Sequence, residues 1–158
     1  MQEDYKVLVT VGTTSFDGLI SYLDIQSLNG FLLTMQIGPG HYLPKNHKYF
    51  RFDYSLPDHY SEYDVIITHA GAGTVFSCLE RGLKLIVVPN LERLDPHQLE
   101  LSNYLEKKNY ALVAKELTQV QKLLEIVHDF QPTTYKSKKF FKVSEIRSFL
   151  INALEAGF

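Results

Sequence analysis

One cysteine, no surplus of positive charge and no long apolar run set the first limits on this chain of 158 residues. A single thiol, Cys78, cannot form an intrachain disulfide, which points to a reducing compartment. It falls on the apolar face of an expected helix and reads as a core residue. With 16 Lys and Arg against 18 Asp and Glu, the formal net charge is −2. No basic excess is available to displace counterions from a nucleic-acid backbone, so generic nucleic-acid binding is excluded and any phosphate site must be local. No apolar stretch approaches the roughly 20 residues that span a bilayer. The opening Met1-Gln2-Glu3-Asp4 has neither the basic nor the apolar region of a secretory signal. The expectation is a soluble protein that something else must hold if it works at a membrane. His41 and His47 share a loop with no cysteine or regularly spaced carboxylate, so no metal site is expected.

What is present fits one globular domain: 45% of the residues are hydrophobic and 22% charged. The stretch Asp64 to Gly82 organises it. Val65, Ile66 and Ile67 are a β-branched run without polar alternation, as in a parallel strand buried on both faces. The run ends at Thr68-His69 and passes into Gly71 and Gly73, which permit positive φ and close approach of another group. Thr74 is expected as the N-cap of a helix that turns Val75, Cys78 and Leu79 inward, with Gly82 at its C-terminal end. Such a strand, glycine turn and helix start leave backbone N–H groups unpaired at the positive end of a helix dipole, where a diphosphate fits. A tight turn that uses glycine for packing alone is the plainer alternative.

The flanking segments repeat the strand-and-turn theme. Tyr5 to Val11 reads as a first strand, closed by Gly12-Thr13-Thr14-Ser15, a second candidate phosphate or sugar loop. Phe16, Leu19, Ile20 and Leu23 then recur at helical spacing, to about Ile25. Phe31 to Ile37 and Tyr49 to Asp53 read as strands, and Leu56 to Tyr63 as a short helix led by Pro57. Leu85 to Val88 is a further strand ending at Pro89-Asn90. A charged loop leads to a helix from His97, with Leu101, Tyr104 and Leu105 expected inward. Asn90, His97 and Gln98 therefore lie at the carboxyl end of a parallel strand, the ligand side of a doubly wound sheet. Tyr110 to Ala114 is a last strand and Leu117 to Val127 an amphipathic helix.

The tail changes character. Residues 131–142 hold four lysines and no acid, interleaved with Tyr135, Phe140 and Phe141, and residues 143–158 show a helical stripe of Val143, Ile146, Phe149, Leu150 and Leu154. The organisation expected is a Rossmann-like domain over 1–130, a basic linker over 131–142 that lies toward anionic lipid, and a partner-docking helix over 143–158.

Three separated motifs carry a family resemblance. Residues 9–20 (Val-Thr-Val-Gly-Thr-Thr-Ser-Phe-Asp-Gly-Leu-Ile), residues 68–74 (Thr-His-Ala-Gly-Ala-Gly-Thr), and Asn90 followed by His97-Gln98-Leu99-Glu100-Leu101 occur in this order. Together they resemble the donor-binding subunit of the two-part UDP-N-acetylglucosamine transferase of asparagine-linked glycosylation. The match covers roughly residues 5 to 115. The resemblance implies an α/β, Rossmann-like fold with a mostly parallel sheet flanked by helices, half of a GT-B glycosyltransferase. It implies transfer of N-acetylglucosamine from UDP with inversion, without a metal or other cofactor. It also implies a heterodimer with a membrane-anchored, acceptor-binding subunit, and a lipid-linked N-acetylglucosamine acceptor, at the cytosolic face of the endoplasmic reticulum. The backbone from Ala70 through Gly71, Ala72 and Gly73 to Thr74 would hold the diphosphate. His69, neutral beside a helix N-terminus, would donate a hydrogen bond to a phosphate or sugar oxygen, while the partner supplies the base. Gly12, Thr13 and Thr14 would form a second wall, and Asn90, His97 and Gln98 the sugar end. Relatives often carry an acid where this chain has Ser77, so either Ser77 or Glu80 would hold the ribose. Two other readings stay open: a subunit of a bacterial-type exopolysaccharide glycosyltransferase, and a non-catalytic nucleotide-binding or scaffold module.

Overall fold

The computed structural model describes residues 4–93 and 95–137. Among these residues six strands make one sheet: β1 (Tyr5–Thr10), β2 (Phe31–Gln36), β3 (Lys48–Phe50), β4 (Val65–Thr68), β5 (Lys84–Val87) and β6 (Leu112–Val113). Their order is β3-β2-β1-β4-β5-β6 and every pairing is parallel. β4 is buried along its whole length, as its unbroken β-branched run requires. Four helices among the described residues, α1 (Asp17–Asp24), α2 (Ala72–Glu80), α3 (Pro96–Lys107) and α4 (Gln119–Ile126), cover the sheet. A 3-10 segment over Leu56–Glu62 stands where a short helix is expected.

The core has two layers. Leu19, Ile20 and Leu23 of α1 and Val120 and Leu124 of α4 pack with Val7, Val9 and Ile67 on one face. On the other, Val75, Cys78 and Leu79 of α2 and Leu105 of α3 pack with Leu8, Ile66 and Leu85. The Cys78 thiol lies inside this second layer, where burial pushes its pKa up to about 12, so it is a core group and no nucleophile.

Three local expectations are corrected. Thr74 is not an N-cap: α2 begins three residues earlier than that, at Ala72, with Gly71 as its N-cap at φ −82° and no side-chain cap. Gly71 and Gly73 do not use the positive φ open to them; the residues that take that conformation include Gly12 at +63° and Gly82 at +69°. At Gly82 it closes α2, with the Gly82 N–H donating to the Leu79 carbonyl and the Leu83 N–H to the Cys78 carbonyl. Tyr104 points outward, 42% exposed, while Gln98, Ser102 and Leu105 form the buried stripe of α3. The basic stretch packs where it is described: the Thr133 N–H donates to the Asn109 carbonyl, and the Tyr135 ring packs at a tilt against Phe76 and edge-on against Tyr110. The rest of that stretch and the helix expected over 143–158 lie outside the described residues.

Candidate functional site

The strand order reverses between β1 and β4, so the chains leaving their carboxyl ends part to opposite faces, into α1 and α2, and open a crevice between them. The two glycine turns singled out in the sequence form its floor. The turn after β1 is fixed from beneath by Gln36, a buried amide with every group paired. Its Oε1 accepts from the Gly12 N–H at 2.9 Å and from the Thr10 hydroxyl at 2.6 Å; its Nε2 donates to the carbonyls of Gly12 and Arg51. The turn after β4 is drawn tight by the Gly71 N–H donating to the His69 carbonyl at 2.8 Å.

His69 sits between the two turns. A Cβ placed on Gly71 would lie 2.5 Å from its Nε2, and one on Gly12 would lie 3.3 Å from its Cε1, so glycine is what lets the imidazole fit. The ring is 7% exposed and its Nδ1 has no hydrogen-bond partner. Burial holds its pKa below the usual histidine range, the Thr10 carbonyl pulls the other way, and the charge of Arg93 lowers it further. The ring is therefore neutral at pH 7. Beside it α2 starts without a side-chain cap, leaving the N–H groups of Ala72, Gly73 and Thr74 with no intrahelical partner. A buried neutral donor and a bare helix N-terminus together make an anion cradle.

The crevice above this cradle measures about 880 Å³. Thr14 and the segment His69 to Ala72 line one side; Arg93, His97 and Gln98 line the other. Ala70 is buried beneath, and Gly73 is exposed at the rim, where an added Cβ would meet no atom within 4 Å. Across the glycine turn lies a second depression of about 170 Å³, which Gly12, Thr13 and Thr74 share with Phe52, Asp53 and Tyr60.

The remaining expected residues have other places. Asn90 is 1% exposed and wholly engaged: its Nδ2 donates to the Ser15 carbonyl, its Oδ1 accepts from the Glu92 N–H, and its own N–H donates to Gln98 Oε1 at 2.9 Å. It ties the loop after β5 to the loop after β1 and is not on the crevice wall. With Gln98 Oε1 so occupied, Nε2 is the group Gln98 offers to the crevice. The Ser77 hydroxyl accepts from Arg81 at 2.6 Å. Glu80 ends α2, roughly 12 Å of helix rise from the glycine turn, and faces a different depression with Tyr135.

Gln36, Glu92, Arg93, Asp95 and Glu100 belong to the site's framework or wall, and sequence reasoning passed over them. A signal existed for one. Asp95-Pro96 is an N-cap followed by proline at the first helical position, and Asp95 Oδ1 indeed accepts from the His97 N–H.

The family model of the glycosyltransferase family 28 C-terminal domain matches residues 6–148. The chain belongs to that family. This family 28 domain is 38% identical over 118 residues to the human UDP-N-acetylglucosamine transferase subunit ALG13, covering 66% of the chain and 10% of the human protein. It is 34% identical over 131 residues to the subunit of the same name from Yarrowia lipolytica, covering 72% of the chain and 67% of that protein. The chain thus spans about a tenth of the human relative and two thirds of the yeast one. Among solved structures, the Acinetobacter baumannii MurG crystal structure superposes with a TM-score of 0.62 at 20% identity, over 81% of this chain and 42% of MurG. The solution structure of ALG13 gives 0.56 at 18% identity, over 86% and 91%. These likenesses show the fold: a Rossmann-like α/β domain of the kind that makes up half of a GT-B glycosyltransferase.

Proposed function

We propose that this domain is the donor-binding half of a transferase that moves N-acetylglucosamine from UDP-N-acetylglucosamine to a lipid-linked N-acetylglucosamine, the second sugar of the dolichol-linked chain. The observation that carries the reading is the uncapped N-terminus of α2 beside the buried, neutral His69, with a depression on either side. The donor has the same three parts. Its diphosphate sits on the N–H groups of Ala72, Gly73 and Thr74; its sugar extends toward His97 and Gln98; its base takes the smaller depression with Thr13 and Phe52. The names of the relatives support UDP-N-acetylglucosamine as donor.

In the proposed reaction the acceptor hydroxyl oxygen attacks the anomeric carbon from the face opposite the diphosphate. The carbon–oxygen bond to the diphosphate breaks, its electron pair passes to the departing phosphate oxygen, and configuration inverts. The helix N-terminus and an N–H of His69 stabilise the charge that develops there. The acceptor proton goes to a base on a membrane-anchored partner subunit, which also holds the domain at the cytosolic face of the endoplasmic reticulum. Among the described residues no helix is long and apolar enough to cross a membrane. No resident metal takes part in this scheme.

The test is reconstitution with the membrane subunit and UDP-N-acetylglucosamine. Expected are a β-linked second sugar on the lipid acceptor and undiminished turnover in EDTA; an α linkage would refute inversion, and loss of activity restored by a divalent ion would refute metal independence.

A further inference from the structure

Arg93 lies between β5 and α3 and is the one permanent cation lining the crevice among the described residues. Three carboxylates, Glu92, Asp95 and Glu100, line it too, yet no ion pair joins any of them to Arg93. Each acid is turned elsewhere. The Glu92 carboxylate lies against Gly18 at the start of α1, where a Cβ would collide with it; Asp95 Oδ1 caps α3; Glu100 Oε2 faces His97 Nδ1 at 3.5 Å. The backbone of Arg93 is anchored, its N–H donating to the Asn90 carbonyl at 3.4 Å and its carbonyl accepting from the Asp95 N–H at 2.9 Å. Asn90 in turn is tied to Ser15 across the crevice floor. Among the described residues, therefore, the Arg93 guanidinium has no ion-pair or hydrogen-bond partner, and it lines the same crevice as the anion cradle.

We propose that Arg93 is the residue that pairs with the leaving diphosphate, an inference that rests on the donor-site reading above. The α2 N-terminus and a neutral His69 offer partial charges only, whereas the diphosphate of a sugar nucleotide carries two full charges and gains a third as the sugar departs. A guanidinium supplies a full charge in a fork that fits two phosphate oxygens at once. Without it the only permanent charges that the described residues put on this wall are the carboxylates of Glu92, Asp95 and Glu100, which repel the ligand. The charge of Arg93 already reaches His69, whose pKa it lowers.

The test compares the full chain with Arg93→Gln and Arg93→Lys. Affinities for UDP-N-acetylglucosamine and UDP are measured at low salt and in 1 M salt, and the His69 ring is titrated by NMR. Arg93→Gln is expected to weaken both ligands roughly tenfold to a hundredfold at low salt, with the gap narrowing in high salt as screening takes over, and to raise the His69 pKa. Arg93→Lys should recover part of the loss. Binding by Arg93→Gln within twofold of wild type, or a deficit equal at both salt concentrations, overturns the inference and leaves the donor site standing. Failure of the wild-type chain itself to bind UDP-N-acetylglucosamine overturns the donor-site reading, and this inference with it.

Discussion

Gly73→Asp is expected to weaken donor binding about a hundredfold while leaving the fold as stable as wild type or slightly more so. An added Cβ at this position meets no atom within 4 Å, so the new side chain costs no packing. Position 73 is in the first turn of α2, which has no acidic residue there and no side-chain cap. An aspartate suits that turn by about 0.3–1 kcal/mol and removes the conformational freedom of a helical glycine. The same carboxylate stands where the diphosphate would bind. Repulsion between it and two phosphate charges some 5 Å away, in a partly solvated crevice, is on the order of 3 kcal/mol, about a hundredfold in affinity. Thermal unfolding and ligand titration of the one variant separate the two effects. A donor affinity within a few-fold of wild type would mean that no anion occupies this turn.

Gln98 is where the largest effect on sugar selectivity is expected. Its Oε1 accepts from the buried Asn90 N–H, so Gln98→Ala removes two things together: the structural acceptor and the Nε2 donor facing the crevice. Gln98→Glu keeps an acceptor for Asn90 and removes only the donor. The alanine variant should lose roughly 1–3 kcal/mol of stability, because the Asn90 N–H is left buried and unpaired, while the glutamate variant should unfold near the wild-type temperature. Both should weaken UDP-N-acetylglucosamine more than UDP, by about tenfold in the ratio of the two affinities, since only the sugar nucleotide reaches Nε2. The ratio isolates the sugar contact from any general effect of the added charge on diphosphates. Equal losses for both ligands in both variants would place the sugar elsewhere.

The sheet was legible because its strands are short, apolar and β-branched: Val65 to Ile67 and Val7 to Val9 admit few other readings, and glycine turns follow both. Since those two strands are neighbours at the reversal of strand order, finding the turns amounted to finding the crevice. What was hidden depended on tertiary contacts. Thr74 looked like an N-cap by residue type, but the His69 carbonyl captures the Gly71 N–H and α2 starts three residues earlier, at Ala72. Gly71 does permit a close approach, as its residue type suggested, but the group that approaches is the His69 imidazole, while Gly73 leaves open space at the rim. Asn90 has the chemistry of a sugar ligand, and only its three hydrogen bonds reveal it as a tie between loops. Tyr104 was assigned inward by spacing, while polar Ser102 and Gln98 took the buried positions one and two turns before Leu105 on α3. Arg93 sits in a loop that was read only as charged, with no ligand role assigned to it.

The most direct test is an NMR titration of the ¹⁵N-labelled chain with UDP-N-acetylglucosamine, set against UDP, NAD and ATP. Expected are amide shifts concentrated at Gly12–Thr14, His69–Thr74 and the loop from Glu92 to Gln98, larger for the sugar nucleotide than for UDP at Gln98, and little response to NAD or ATP. A preference for NAD, or shifts centred on Glu80 and Tyr135 with the glycine turns silent, would contradict the assignment of this crevice as the donor site.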